Sequence, residues 1–303
     1  MIFAVDIGGS SIKYGLVDDH NRLSGQGKRT DIFSDTMEFT HGICKLYEKY
    51  GENAEGVAIS YCGELNPENG YAYCGGSLHY NTGKELRRIL QEVLPVPVSI
   101  ENDGNCATYA ELYGGTLCGS RNAMVLVLGT GVGCGLVLNG SIFRGSHCAA
   151  GAPSLNTVNI RDFARPGEIL SDAVGYMGLT VPFAKIKGWI PENTTGEMFF
   201  QYVAKGDCEA NEILNKFSRT LANYIYNTQF LLDLEKVVIG GGISRQPVLI
   251  ERIQEALEKS FDYARVIGAF INIPKIEISR FTADANLIGA TEHFRLTRKA
   301  ADV

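Results

Sequence analysis

Between positions 101 and 105 the chain reads Glu101-Asn102-Asp103-Gly104-Asn105, directly after the short apolar run Val98-Ser99-Ile100. Side chains with hydrogen-bonding oxygens and a glycine at a strand-to-helix junction allow two readings. Asn102 or Asp103 can cap the helix expected over 104–113. Alternatively, Asp103 is a general base that accepts a substrate hydroxyl proton during phosphoryl transfer, and Asn102 binds a neighbouring hydroxyl. Glycine clusters supply the complementary chemistry. They follow apolar runs at 8–9, 129–135 and 240–242, with a looser set over 62–76. A glycine turn lets backbone N–H groups approach phosphate oxygens with no Cβ in the way. Ser10 and Thr130 can add hydroxyl donors, and Lys13 a compensating charge. Asp6, beside the first turn, is placed to hold Mg²⁺ through water, because Mg²⁺ prefers few carboxylates and keeps its hydration. One glycine hairpin is common; three such turns, two with an embedded hydroxyl, favour nucleotide binding.

Two familiar nucleotide sites fail on spacing. No GxxxxGK[ST] occurs, which excludes a P-loop. Gly129-Thr-Gly-Val-Gly-Cys-Gly135 runs straight into the apolar 136–140 rather than a helix, which argues against a dinucleotide site and an oxidoreductase.

The elements that must position these residues follow from periodicity. Residues 2–7 and 12–17 read as a hairpin with a polar tip, and a third strand is expected near 23–29. Apolar groups at 37, 39, 43, 46, 47 and 50 predict a helix over 36–50. A strand over 55–60, a loop over 62–83 and a helix over 84–93 precede the strand at 98–100. At 123–140 the strand, glycine turn, strand pattern returns, which suggests a fold-level duplication. Helices are expected over 197–205, 209–232, 247–260 and 285–297, with strands at 235–244 and 275–279. Alternating strands and helices place the chain in the α/β class.

Composition sets the outer bounds. The 303 residues, 45% hydrophobic, are enough for about two domains. Net charge is 28 − 34 = −6, so no basic footprint points to nucleic acid or an anionic membrane. The 35 glycines, about 12% against an average near 7%, are the outlier. No signal peptide and no apolar run of membrane-spanning length is visible, so a cytoplasmic location is expected. The eight cysteines show no CxxC, and the five histidines lie far apart, so no zinc site is expected. Free, mostly buried thiols are the expectation.

The motifs DIGGSSIK (6–13), ENDGN (101–105), LGTGVGCGLVLNGSIFRG (128–145), VVIGGGIS (237–244) and ANLIGA (285–290) occur in the order and spacing of the ROK family of sugar kinases and repressors, which the chain resembles along nearly its whole length. The resemblance implies the duplicated ribonuclease H-like fold shared with actin and hexokinase. An N-terminal lobe would span 1–115, with the helix 285–303 packing back on it, and a C-terminal lobe would span 116–284. It also implies ATP, Mg²⁺ and a homodimer, with phosphorylation of a sugar hydroxyl in a cleft between the lobes. The repressors carry an N-terminal helix-turn-helix; this chain begins on its first strand and so resembles the kinases. Asp103 matches the family's catalytic base. Asp6, Gly8, Gly9, Ser10 and Lys13 match its first phosphate loop, with Ser10 where Thr is usual. Gly129, Thr130 and Gly131 match the second, and Gly241 and Gly242 the nucleoside contact. Gly63, Asn81 and Asn102 match sugar-contacting positions.

The chain departs from the family after Gly151. A Glu and, three positions on, a sugar-touching His are replaced by Ala152 and Leu155, and the cysteine-rich zinc loop is replaced by 156–176. Loss of zinc resembles the β-glucoside kinase branch. Apolar side chains there suit a sugar whose anomeric oxygen carries a substituent. The expected activity is therefore ATP-dependent phosphorylation of glucose or a β-glucoside, with the 6-hydroxyl as acceptor. The alternative is a non-catalytic sugar or nucleotide sensor. His147 reads as an exposed loop residue or a substitute polar contact.

Overall fold

A computed structural model describes residues 1–159, 161, 165, 167–269 and 271–301. The chain forms two compact units. The first contains Met1–Cys118, Ile142–Ala150 and the C-terminal segment from Asp284; the second contains Gly119–Ser141 and Gly151–Ala283.

The first unit is built on β1 (Ile2–Ile7), β2 (Ile12–Val17), β3 (Leu23–Arg29), β4 (Val57–Tyr61) and β7 (Val98–Asn102), in the order β3-β2-β1-β4-β7. A small hairpin of β5 (Glu64–Asn66) and β6 (Tyr71–Cys74) lies between β4 and β7 in sequence. β1 is buried along its whole length, as suits a central strand covered on both faces. It pairs antiparallel with β2 and parallel with β4, and β4 pairs parallel with β7. One face packs Phe3, Val5 and Ile7 against Phe39, Ile43 and Leu46 of α1 (Thr36–Leu46). Asp35 starts α1 by accepting the Glu38 N–H at 2.8 Å. The remaining helices of this stretch are α2 (Leu86–Gln91) and α3 (Asp103–Gly114).

The second unit repeats the plan. β8 (Ala123–Leu128), β9 (Val132–Leu138), β11 (Lys236–Gly240) and β12 (Lys275–Ile278) form its sheet, with the short β10 (Ser141–Phe143), of which only Ser141 falls in this unit, paired at the edge in the order β10-β9-β8-β11-β12. This is the same hairpin followed by two parallel strands, the duplicated ribonuclease H-like arrangement. Helices α4 (Leu170–Val174), α5 (Met177–Lys187), α6 (Gly196–Ala204), α7 (Cys208–Leu232), α8 (Pro247–Ser260) and α9 (Asp262–Val266) complete the unit. In α7 the buried Leu214, Phe217, Leu221 and Ile225 recur every three or four residues, giving one continuous core stripe.

The last helix, α10 (Ala285–Ala301), covers the other face of the first sheet, where Ala290 and Phe294 meet Ile2, Ala58 and Cys106. Small strand residues on that face let the helix sit close. Gly289 faces the backbone of Cys106 in α3 so tightly that a Cβ there would collide with its carbonyl.

Several expectations need correction. The first helix stops at Leu46 and widens into a π turn over Tyr47–Gly51. The expected loop 62–83 contains β5, β6 and a short 3₁₀ turn, His79–Asn81. The cysteines are free but not mostly buried: Cys106 and Cys134 are buried, whereas Cys74, Cys118 and Cys208 are exposed, lying on a small hairpin, in a turn and at a helix start. Part of the replacement segment 156–176 (residues 160, 162–164 and 166) and the last two residues of 285–303 lie outside the described residues. No helix of the described residues is long and apolar enough to cross a membrane.

Gly289→Ala should destabilise the protein by about 1–3 kcal/mol, the range for overpacking a tight contact. Urea unfolding measures it, and unchanged stability would show that the α3–α10 approach is not tight.

Candidate active site

Strand register gathers the polar groups of the first unit. Lys13 pairs with Asp6, Asp6 with Ser60, and Ser60 with Glu101. Paired residues point to the same face of a sheet, so these four side chains form one row across β2, β1, β4 and β7. Ser60 Oγ and Asn286 Nδ2 both donate to Asp6 Oδ1, at 2.8 and 2.9 Å. Lys13 Nζ lies 3.8 Å from Asp6 Oδ2. Asp6 is nearly buried, and its Oδ1 is saturated, while Oδ2 faces a cation at ion-pair distance. A single carboxylate with one oxygen so placed is chemically suited to a water-held Mg²⁺. No cluster of three metal-ligating side chains occurs among the described residues.

The turn from β1 to β2 is closed by the Gly8 N–H donating to the Ser11 carbonyl at 3.0 Å. Among the described residues the Gly9 and Ser10 amides donate to no backbone acceptor, and both residues are exposed. A Cβ on Gly9 would meet Ser77 Cβ at 2.9 Å, so the turn needs glycine there. The arrangement leaves open N–H groups and the Ser10 hydroxyl at the tip, the donor set of an anion-binding turn.

At the β7–α3 junction both readings of Asn102 and Asp103 meet in one structure. Asn102 is the cap: its Oδ1 accepts the Asn105 N–H at 3.2 Å. Its Nδ2 donates to the Gly63 carbonyl at 3.1 Å and to Asp103 Oδ1 at 3.2 Å. Asp103 Oδ1 also accepts the Gly104 N–H at 2.8 Å. Asn102 thus organises the carboxylate beside it. Burial, and next the negative charge of Asp6, push the Asp103 carboxyl up to about 6, against the opposing pull of the Gly104 and Asn102 donors. The Cys62 thiol also faces it, and burial, and next the Asp103 charge, push that thiol up to about 11.

Asn81 is fully buried in the 3₁₀ turn. Its Oδ1 accepts from Thr36 Oγ1 at 3.0 Å, while its Nδ2 has no acceptor among the described residues. An unpartnered buried donor is costly unless a ligand completes it. Gly63 is wedged against Tyr61, whose Cε1 would lie 2.7 Å from a Cβ there. Thus Asp6, Gly8, Gly9, Ser10, Lys13, Gly63, Asn81, Asn102 and Asp103 all belong to the first unit.

The second unit holds the other glycine loops. Gly129 N–H donates to the Gly131 carbonyl at 3.0 Å, and Tyr176 N–H donates to the Gly129 carbonyl at 2.7 Å. The Thr130 and Gly131 amides have no backbone acceptor among the described residues, and Thr130 is exposed. Gly241 has φ +90°, and a Cβ on it would lie 2.8 Å from the Leu128 carbonyl carbon. Only glycine fits there, and it brings Gly241 and Gly242 against the strand end that feeds the 129–131 loop. Ala152 begins a 3₁₀ turn, Pro153–Leu155, held by Ser154 Oγ donating to the Val132 carbonyl at 2.8 Å. Leu155 is 69% exposed. His147 is an exposed loop residue of the first unit.

The ROK family model matches residues 2–153 and 181–295. The chain belongs to the ROK family. It is 29% identical over 294 residues to a β-glucoside kinase of Listeria monocytogenes, covering 97% of each chain. Its structure is similar to that of a ROK family protein of Streptococcus pneumoniae in complex with sucrose, with a TM-score of 0.83, 25% identity and 99% of each chain covered. It also shares the fold of a ROK glucokinase of Streptomyces griseus, with a TM-score of 0.79, 19% identity, and 97% and 99% covered.

Sequence reasoning missed Ser60, and gave Glu101, Asn105, Arg144 and Asn286, which lie inside the quoted motifs, no separate role. The available signal was polar residues closing apolar runs: Ser60 ends GVAIS, and Asn286 opens ANLIGA.

The raised Asp103 carboxyl has a stability consequence. An unfolded Asp ionises near 3.9, so the folded state binds this proton more tightly. The stabilising effect of the bound proton is full below about 4 and is lost as pH rises through about 6. Asp103→Asn should therefore melt a few degrees above wild type at pH 7–8, without Mg²⁺ or nucleotide, and the gain should shrink as pH falls below 6. Thermal denaturation across pH checks it; a pH-independent difference would contradict the assignment.

Proposed function

We propose that the protein transfers the γ-phosphoryl group of ATP to a hydroxyl of glucose or a β-glucoside, with the 6-hydroxyl as acceptor. It is a carbohydrate kinase by its likeness to named sugar kinases. The observation that carries it is the poised Asp103, capped by its neighbours and held protonatable near neutrality by burial and Asp6.

Asp103 Oδ2, the oxygen not taken by Gly104 and Asn102, accepts the hydroxyl proton as the sugar oxygen attacks the γ-phosphorus. The bond from that phosphorus to the ADP oxygen breaks, and ADP leaves. Asp6 Oδ2 is the atom that would hold Mg²⁺ through water, and the ion supplies charge neutralisation at the β- and γ-phosphates when bound. The Gly9 and Ser10 amides and the Ser10 hydroxyl, with Lys13, contact phosphate, and Gly8 closes that turn through its N–H to the Ser11 carbonyl. In the second unit the Thr130 and Gly131 amides and the Thr130 hydroxyl contact phosphate, Gly129 closes that loop through its N–H to the Gly131 carbonyl, and Gly241 and Gly242 contact the nucleoside. Gly63, Asn81 and Asn102 serve the sugar; Asn81 Nδ2 is a donor in need of a hydroxyl. Catalysis of this kind is mainly positioning and charge stabilisation.

A β-glucoside is favoured by the apolar pair Ala152 and exposed Leu155, where the family has Glu and His, and by likeness to β-glucoside kinases. Asp103→Asn should lower turnover by roughly 10²–10⁴-fold while ATP still raises the melting temperature. A coupled ADP assay over sugars and glycosides decides it, and ligand stabilisation with no ADP from wild type would favour a sensor. Ala152→Glu with Leu155→His should shift kcat/KM towards glucose over β-glucosides by roughly tenfold, the value of one hydrogen bond to the anomeric hydroxyl. Competition between the two substrates reads it directly, and an unchanged ratio would remove these positions from specificity.

A further inference from the structure

The Glu101 carboxylate is fully buried and takes no part in the chemistry above. Its Oε1 accepts the Asn102 backbone N–H at 2.9 Å and Asn105 Nδ2 at 3.1 Å. Its Oε2 takes both Nη2 and Nε of Arg144, at 2.5 and 3.1 Å. Nη2 of Arg144 also donates to the Tyr109 hydroxyl of α3 at 2.6 Å. His293 of α10 closes the cluster, with its ring centroid 5.4 Å from that of Tyr109 and its Nε2 3.9 Å from Glu101 Oε2. Burial holds its pKa down to about 4, so it adds no charge at neutral pH. Arg144 is thus the one permanent cation on Glu101 among the described residues. It sits on a closed loop whose Ala150 N–H donates back to the Arg144 carbonyl at 3.0 Å.

We propose that Arg144, through the buried Glu101, is a positioning residue that sets the geometry of the Asp103 base. The path is short. Arg144 fixes Glu101, Glu101 holds the backbone of Asn102 and the side chain of Asn105, and Asn105 donates its N–H to Asn102 Oδ1. Asn102 Nδ2 then donates to Asp103 Oδ1. A buried ion pair is a poor way to obtain stability, since well-packed apolar residues often serve as well or better. A planar guanidinium gripping one carboxylate oxygen, however, fixes direction in a way apolar contacts do not. The second carboxylate oxygen is then left for the turn that carries the base.

The inference rests on Asp103 being the base, so Asp103→Asn is assayed alongside. Arg144→Met alone leaves a buried, uncompensated carboxylate, so the deciding variant is E101Q/R144M, which removes both charges and keeps an acceptor for Asn102 and Asn105. We expect it to fold with a melting temperature within a few degrees of wild type. Its kcat should fall roughly 10–100-fold, the effect of a small misplacement of a reacting group, with KM for ATP within about threefold. Arg144→Lys, which keeps charge but loses the fork, should lie between the double variant and wild type. A folded double variant, or an Arg144→Lys variant, with wild-type kcat would overturn the positioning role. Retained turnover in Asp103→Asn would instead overturn the base assignment itself.

Discussion

Negative charge collected at the carboxyl ends of adjacent parallel strands is the constraint around which the first unit is arranged. In-register pairing of β1, β4 and β7 brings Asp6 and Glu101 into one row with Ser60 between them, and Asp103 follows directly after β7 as the first residue of α3. Each carboxylate is treated differently. Glu101 is buried and paired with Arg144. Asp6 accepts two donors and faces Lys13. Asp103 has hydrogen-bond donors but, among the described residues, no cation in hydrogen-bonding contact, and burial, and next Asp6, raise its pKa. Separate environments give neighbouring carboxylates separate roles, the usual route to a base that works near neutral pH.

The same strand order in the second unit serves a different end. There the end of β8 and the exit of β11 carry glycines, not carboxylates. Gly241, at φ +90°, is packed on Leu128, and the 129–131 loop leaves its amides open. One fold plan thus carries a row of carboxylates in one unit and glycine loops with open amides in the other, with the difference set by which residues close the strands.

Much of this was legible in the sequence because it is local. Apolar runs ending in Asp6, in Gly129 and in Gly240 mark strand ends, and the expected bounds of α7 and α8 hold to within a residue. The Asp103 assignment came from a local motif, yet the chemistry that suits it to a base did not. Its raised pKa comes first from burial and next from the charge of Asp6, 97 positions away in sequence. Ser60, Asn286 and Arg144 were invisible for the same reason, since each acts on a residue distant in sequence. The five-residue α4 and the hairpin within 62–83 were lost because short elements with mixed polarity carry little periodicity, and α5 because Pro182 stands inside it, where a proline normally marks a break. The expectation of mostly buried cysteines failed at Cys74, Cys118 and Cys208, which lie where no core is available.

The central claim is that this arrangement carries out phosphoryl transfer to a sugar hydroxyl. The most direct test is to incubate the protein with ATP, Mg²⁺ and a β-glucoside such as cellobiose, and to follow phosphate by ³¹P NMR. The account predicts a new phosphate monoester at a sugar 6-position, formed one for one with ADP. ATP left intact, or hydrolysed to free phosphate with no phosphosugar, across glucose and a panel of β-glucosides would contradict it.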